Sequence, residues 1–113
     1  MSTERMTFKG GWWADVRTEW PYGADTRIAG AWLALGPAPE GEDWEKACRV
    51  TLQQSVTDAM VPDLEGNALP FGPDVWDACD GRIGRAILRR ARKSWGAWQR
   101  DADPEASGQS SPD

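Results

Sequence analysis

Apolar residues in this chain recur first at a period of two and then at a period near 3.6, and the change between them sets the expected fold. In MTFKGGWWADVRT, residues 6–18, Trp12, Ala14 and Val16 fall on one face while Trp13, Asp15 and Arg17 fall on the other. Two short strands follow, joined at Gly10-Gly11, a dipeptide that supplies the positive φ of a two-residue hairpin turn. Trp13 then stands among polar neighbours. Residues 1–5 carry no such alternation and are expected to be disordered.

Beyond EWPYG, where Pro21 and Gly23 break regular structure, the period lengthens. Ile28, Ala31, Trp32 and Leu35 recur at helical spacing, so a first helix is expected from a cap at Asp25 or Thr26 to about Leu35. GPAPEGED ends it, with Gly36 suited to the left-handed position after a helix and Pro37 blocking extension. A second helix, capped by Asp43, is expected over 44–60, because Trp44, Cys48, Leu52, Val56 and Ala59 keep one face. VPDLEGNALPFGP is then a turn region reversed at Glu65-Gly66-Asn67, with Leu64, Leu69 and Phe71 expected to pin it to the core. PDVWDAC suits one helical turn with Pro73 at its start.

The third main helix is expected from Asp80, its cap, to about Gln99. Ile83, Gly84, Ile87, Leu88, Ala91, Trp95 and Trp98 share one arc of about 140°, and Arg82, Arg85, Arg89, Arg92, Lys93 and Arg100 take the opposite one. Residues 101–113, DADPEASGQSSPD, have no apolar period and read as a disordered acidic tail. The expected architecture is a mainly α (α+β) fold. A short N-terminal β-hairpin precedes three main helices in one globular domain over residues 6–100.

Charge sharpens this picture. Residues 1–80 hold 6 basic and 14 acidic side chains, net −8; residues 81–100 carry +7 and residues 101–113 carry −4, within a total of −5. The third helix therefore presents a basic face on an otherwise acidic molecule. Phosphates or anionic lipid could meet such a face, but the acidic remainder repels nucleic acid. A core-completing helix with its cations in water, able to dock an acidic partner, is the preferred reading.

Eight Trp residues against two Phe and one Tyr are a skewed set, with core pillars and half-exposed contacts both expected. The chain has no His, which removes Ser-His-Asp and Cys-His catalysis, and no glycine loop fits a phosphate. Cys48 and Cys79 stand outside any C-x-x-C spacing and read as two buried reduced thiols. Asp74, Asp77 and Asp80 repeat every third residue; helix capping explains them better than a cation site. No apolar run approaches the ~20 residues of a membrane span, and the start lacks a signal-peptide layout, so an intracellular protein without cofactor or metal is expected.

Three stretches then carry a resemblance: WWADVRTEWPYGADTRIAGA (Trp12–Ala31), VTDAMVPDLEGNALP (Val56–Pro70) and DGRIGRAIL (Asp80–Leu88). Their order is aromatic-x-Asp-Val-Arg, Tyr-Gly, two helices, a D-x-x-G-x-x-L-P turn and a closing helix. This resembles the small tail assembly chaperones of long-tailed actinobacteriophages, usually encoded just before the tape-measure protein. Two departures are Ala59, where an aromatic is expected after Asp58, and the strongly basic closing helix.

The resemblance implies a non-enzymatic protein of the host cytoplasm that keeps the tape-measure protein soluble, alongside other tail assembly proteins. It implies no nucleic acid and no membrane, and is compatible with a homo-oligomer. A head–tail connector, a tail-completion protein and an acidic inhibitor of a host nucleic-acid enzyme remain alternatives. From exposure logic, the expected partner contacts are Trp13, Leu88, Trp95 and Trp98, with Arg85, Arg89 and Arg92 as the electrostatic component.

Overall fold

A computed structural model describes residues 2–35 and 41–102. In chain order the elements are β1 (Thr3–Thr7), β2 (Trp13–Arg17), α1 (Tyr22–Leu33), α2 (Gly41–Ser55), β3 (Val56–Pro62), β4 (Ala68–Leu69), α3 (Val75–Ala78) and α4 (Gly81–Ala102). The strands form one antiparallel sheet in the order β1-β2-β3-β4. This corrects the expectation of a short hairpin followed by three helices: the fold is mixed, a four-stranded sheet with four helices, and "helical" does not describe it.

The hairpin lies where the alternation placed it. Phe8 N–H donates to the Trp12 carbonyl at 2.8 Å and Gly11 N–H to the Phe8 carbonyl at 3.3 Å, closing a loop over Lys9–Gly11. Gly10 and Gly11 both sit at positive φ, 96° and 86°, where a side chain would be strained. β1 begins at Thr3, inside the stretch expected to be disordered, because Glu4 and Met6 pair with Val16 and Ala14 and share their inner face. Met6 is half-buried against the core, and Glu4 reaches Arg90 on α4 at 3.7 Å.

The largest departure is at residues 56–60, expected to finish a helix and found in β3. Val16 pairs with Val56 and Asp15 with Asp58, so Thr57 is the extra residue of a bulge. Two inward residues that a regular strand would space by two, Val56 and Ala59, are therefore three apart. Three is also a helical interval. The bulge thus extended the α2 stripe into the strand on paper, while in the fold α2 stops at Ser55. Val61, two beyond Ala59, is fully buried as strand alternation requires.

β3 and β4 are joined by a turn that the sequence located. Asp63 Oδ1 accepts N–H bonds from Glu65 and Asn67, both at 2.9 Å, and Gly66 takes φ 87°. Only Leu69 of the three expected pins packs on the core; Leu64 is 81% exposed and Phe71 41%.

α4 lies across the inner face of the sheet. Ile87 and Ala91 are fully buried against Ala14, Val16, Val56, Ala59 and Val61, while Leu52, Val75 and Cys79 close the sides. Asp80 caps the helix, accepting from Arg82 N–H at 2.9 Å and binding the Arg82 guanidinium through both carboxylate oxygens. The helix continues to Ala102, past the expected end at Gln99. The expected tail beyond Ala102, Gly36 and Pro37 lie outside the described residues.

A second cluster forms between α1, α2 and the far end of α4. Trp20, Ala24 and Ile28 are buried, with Trp32, Val50, Trp95 and Trp98 half-buried around them. α1 starts at Tyr22, three residues before the expected cap, and Asp25 is instead used by α4.

Candidate functional site

The seven residues expected to meet a partner are distributed over three places. Trp13 lies on the sheet face opposite α4, half-buried beneath the Arg5 guanidinium at 3.8 Å, which also makes a two-oxygen contact with Asp15 at 2.8 and 3.0 Å. Trp95 and Trp98 are half-buried and engaged within the molecule, and Arg92, though exposed, is engaged over two indole rings. Trp95 Nε1 donates to Asp25 at 2.9 Å, Trp98 stands 5.5 Å from the Trp20 ring, and the Arg92 guanidinium lies 4.3 Å over Trp32 and 5.7 Å from Trp44. Leu88, Arg85 and Arg89 remain on the solvent side of α4, and two of them border a hollow.

That hollow is where α2, α3 and the first turns of α4 converge. Trp44, Cys48 and Leu52 come from α2, Trp76 from α3, and Gly84, Arg85 and Leu88 from α4; with Cys79 they enclose about 250 Å³. Gly84 leaves the floor low, since a Cβ there would rest 3.8 Å from Cys79 Sγ. A second hollow of about 330 Å³ adjoins it, lined by Gln53, Gln54, Val56, Phe71, Pro73 and Trp76. Trp76 lines both, so the two make a trough of two compartments that share an indole wall, the first largely apolar and the second with Gln53 and Gln54 beside Val56, Phe71 and Pro73. Trp44 at 38% and Phe71 at 41% exposure mark its two ends.

A third hollow, about 430 Å³ between α1 and α2, is larger, but the charged Arg27, Asp43 and Lys46 line it together with Thr26, Val50, small residues and the same Gln53 and Gln54. It has no aromatic wall. The aromatic trough is the better binding surface.

Sequence reasoning missed Trp44, Trp76 and Phe71 as contacts. One signal was available: Trp44 follows Glu42-Asp43 and precedes Glu45-Lys46, so it opens α2 among charged residues and is exposed.

The trough's chemistry is that of a contact surface. Burial pushes the Cys79 thiol up to about 11, and burial raises Cys48 as well, so both line the floor as protonated, apolar groups at neutral pH. Arg49 pairs with Asp77, tying α2 to α3 along the rim. The carboxylates at 74, 77 and 80 do not converge: Asp77 faces Arg49, Asp80 faces Arg82, and among the described residues no three His, Cys, Asp or Glu side chains could share a metal ion. No helix among the described residues is long and apolar enough to cross a membrane.

Comparison of the chain with protein-family models, with curated proteins and with solved structures yields no match.

Proposed function

We propose that this chain is a non-enzymatic binding protein that acts as a tail assembly chaperone, holding a long, helix-rich tape-measure protein soluble while tail subunits assemble. The observation that carries this reading is the apolar hollow between α2, α3 and α4, with a second hollow across Trp76. Grooves of that kind receive the apolar face of an amphipathic helix through anchors at i, i+3, i+4 and i+7. A tape measure offers many such faces, and its chaperone must tolerate their differences. Shallow hollows lined by indole and Leu, rather than one deep pocket, suit that tolerance. The overall charge of −5 favours solubility of the loaded complex.

The test is co-expression with a tape-measure protein, the very long helical protein that this reading expects to be encoded next to this chain. The tape-measure protein is expected in the soluble fraction only when this chain is present, and the two are expected to co-purify. Equal solubility with and without the chain refutes the role. Stoichiometric abundance of the chain in purified particles, measured by mass spectrometry, also refutes it and favours a completion protein.

A further inference from the structure

Four cations of α4 meet no carboxylate within salt-bridge distance among the described residues: Arg85, Arg89, Lys93 and Arg100. The others of this helix are engaged. Arg82 binds Asp80, Arg90 reaches Glu4, and Arg92 covers the Trp32 and Trp44 rings. Arg85, Arg89 and Lys93 follow one another at i, i+4 and i+8, which stacks them along a single ridge where each repels the next. The ridge starts at the trough, since Arg85 lines it next to Leu88.

We infer that the trough takes an amphipathic helix with carboxylates along one flank, seated with that flank on Arg85, Arg89 and Lys93. This rests on the binding role proposed above and adds the chemistry of the partner. The first hollow accepts an apolar anchor and the second, across Trp76, has room for another, while the ridge that starts at the first with Arg85 demands negative charge. A nucleic-acid backbone supplies the charge without the anchors, and the acidic remainder of the chain opposes its approach. The chain's own residues 103–113 supply Asp103, Glu105 and Asp113 but no Val, Leu, Ile, Met or aromatic residue to enter the hollows. A carboxylate-flanked apolar helix supplies both.

The probes are two synthetic helical peptides of about 18 residues, five turns, with identical Leu and Phe anchors. One carries Glu along the flank and the other Lys. Binding to the full chain is followed by intrinsic tryptophan fluorescence and titration calorimetry at low and high salt. The Glu peptide is expected to bind about tenfold more tightly at low salt, as three rim ion pairs allow, with the advantage shrinking at high salt. The variant R85E/R89E/K93E, checked for folding by circular dichroism, is expected to prefer the Lys peptide.

Gly84→Met, which raises the trough floor, is expected to weaken both peptides about tenfold while keeping or raising the thermal midpoint, since Met favours a helix interior over Gly. If the triple variant does not fold, the peptide comparison and its salt dependence on the natural chain still decide. Equal affinity for both peptides overturns the inference, as does tighter binding of a short DNA duplex than of the Glu peptide. A stable dimer in sedimentation that R85E/R89E/K93E abolishes overturns it in favour of a second copy of the chain. Failed co-expression with the Glu preference intact removes the tape-measure role alone, and successful co-expression without the preference removes this inference alone.

Discussion

Replacing Ile87 by Ala and, separately, Leu88 by Ala perturbs two adjacent positions that the 100° step of α4 sends in different directions. Ile87 is fully buried under the sheet, and Leu88 is half-buried on the trough wall. Ile87→Ala removes three buried carbons, about 2.4 kcal/mol at ~0.8 per carbon, and leaves a cavity that raises the cost to about 3–4 kcal/mol. Against a total stability of roughly 5–15 kcal/mol this is a large loss. With a urea slope of about 1.5 kcal/mol per molar, the unfolding midpoint falls by about 2–2.5 M and the slope stays unchanged. Leu88→Ala also removes three carbons, but only partly buried ones, so about 1–2 kcal/mol and roughly 1 M are expected. Urea titration followed by circular dichroism and tryptophan fluorescence measures both. Peptide affinity is expected to move the opposite way, reduced in Leu88→Ala and kept in folded Ile87→Ala. Equal midpoints, or a larger loss at Leu88, would mean that α4 is rotated from the orientation described and that its trough wall is misassigned.

Thr51→Val is expected to cost about 1–3 kcal/mol and to red-shift Trp32 emission, because the buried Thr51 Oγ1 accepts from Trp32 Nε1 at 2.8 Å and donates to the Ala47 carbonyl at 2.8 Å; an unchanged midpoint refutes that contribution. Three carboxylates lie below the ordinary range: Asp80 through the Arg82 guanidinium, Asp15 through Arg5, and Asp63 through the backbone N–H of Asn67. Folding favours their charged forms, so stability is whole above about pH 5 and declines as the pH falls through about 4 and below. A midpoint that stays level down to about pH 2 contradicts this. At the alkaline end the sign inverts. The Cys79 thiol, raised to about 11 by burial, stays protonated in the fold while the unfolded thiol ionises near ~8.5, so stability falls as the pH climbs from about 9 to 11. At pH ~8 a disulfide reagent is expected to label native Cys79 about two orders of magnitude more slowly than the urea-unfolded chain. Labelling of the native protein at the unfolded rate would show the thiol to be open.

Where one physical rule governed a segment alone, the residues declared the structure. The Gly10-Gly11 turn, the Asp80 cap, the reversal at Gly66 and the two-sided character of α4 each follow from local chemistry. β3 failed because two rules coincided: the bulge at Thr57 spaced Val56 and Ala59 by a helical interval, and only pairing with β2 could separate the readings. β4 has two residues and no period to detect. α1 begins before Asp25, whose N–H already bonds the Pro21 carbonyl and whose carboxylate is held by Trp95, 70 positions away, a contact no local pattern contains. The trough was hidden for the same reason, since its walls come from three elements that meet only when α4 closes on the sheet.

The indoles show how a tryptophan-rich chain divides core from contact surface. An indole buries a large apolar area but must place one N–H, so an acceptor supplied by the fold helps to hold it in the core. Trp20 finds Ser55 Oγ at 3.1 Å, Trp32 finds Thr51 Oγ1, and Trp95 finds Asp25. Those three stand in or around the second cluster. Trp44 and Trp76 have no acceptor among the described residues, and both line the trough. Their N–H groups therefore stay open to water or to a partner's carbonyl or carboxylate, while their rings offer apolar area. Such an arrangement is stable in the free protein because water satisfies the N–H. It also rewards a partner that brings an acceptor together with an apolar anchor, which is the pairing that a carboxylate-flanked helix presents. Trp44→Phe keeps an aromatic ring, of smaller area, and removes the donor. It is expected to leave the urea midpoint within about 0.5 kcal/mol of stability, as for other exposed sites, while weakening the Glu-flanked peptide severalfold. A variant that binds as well as the natural chain would assign Trp44 to shape alone.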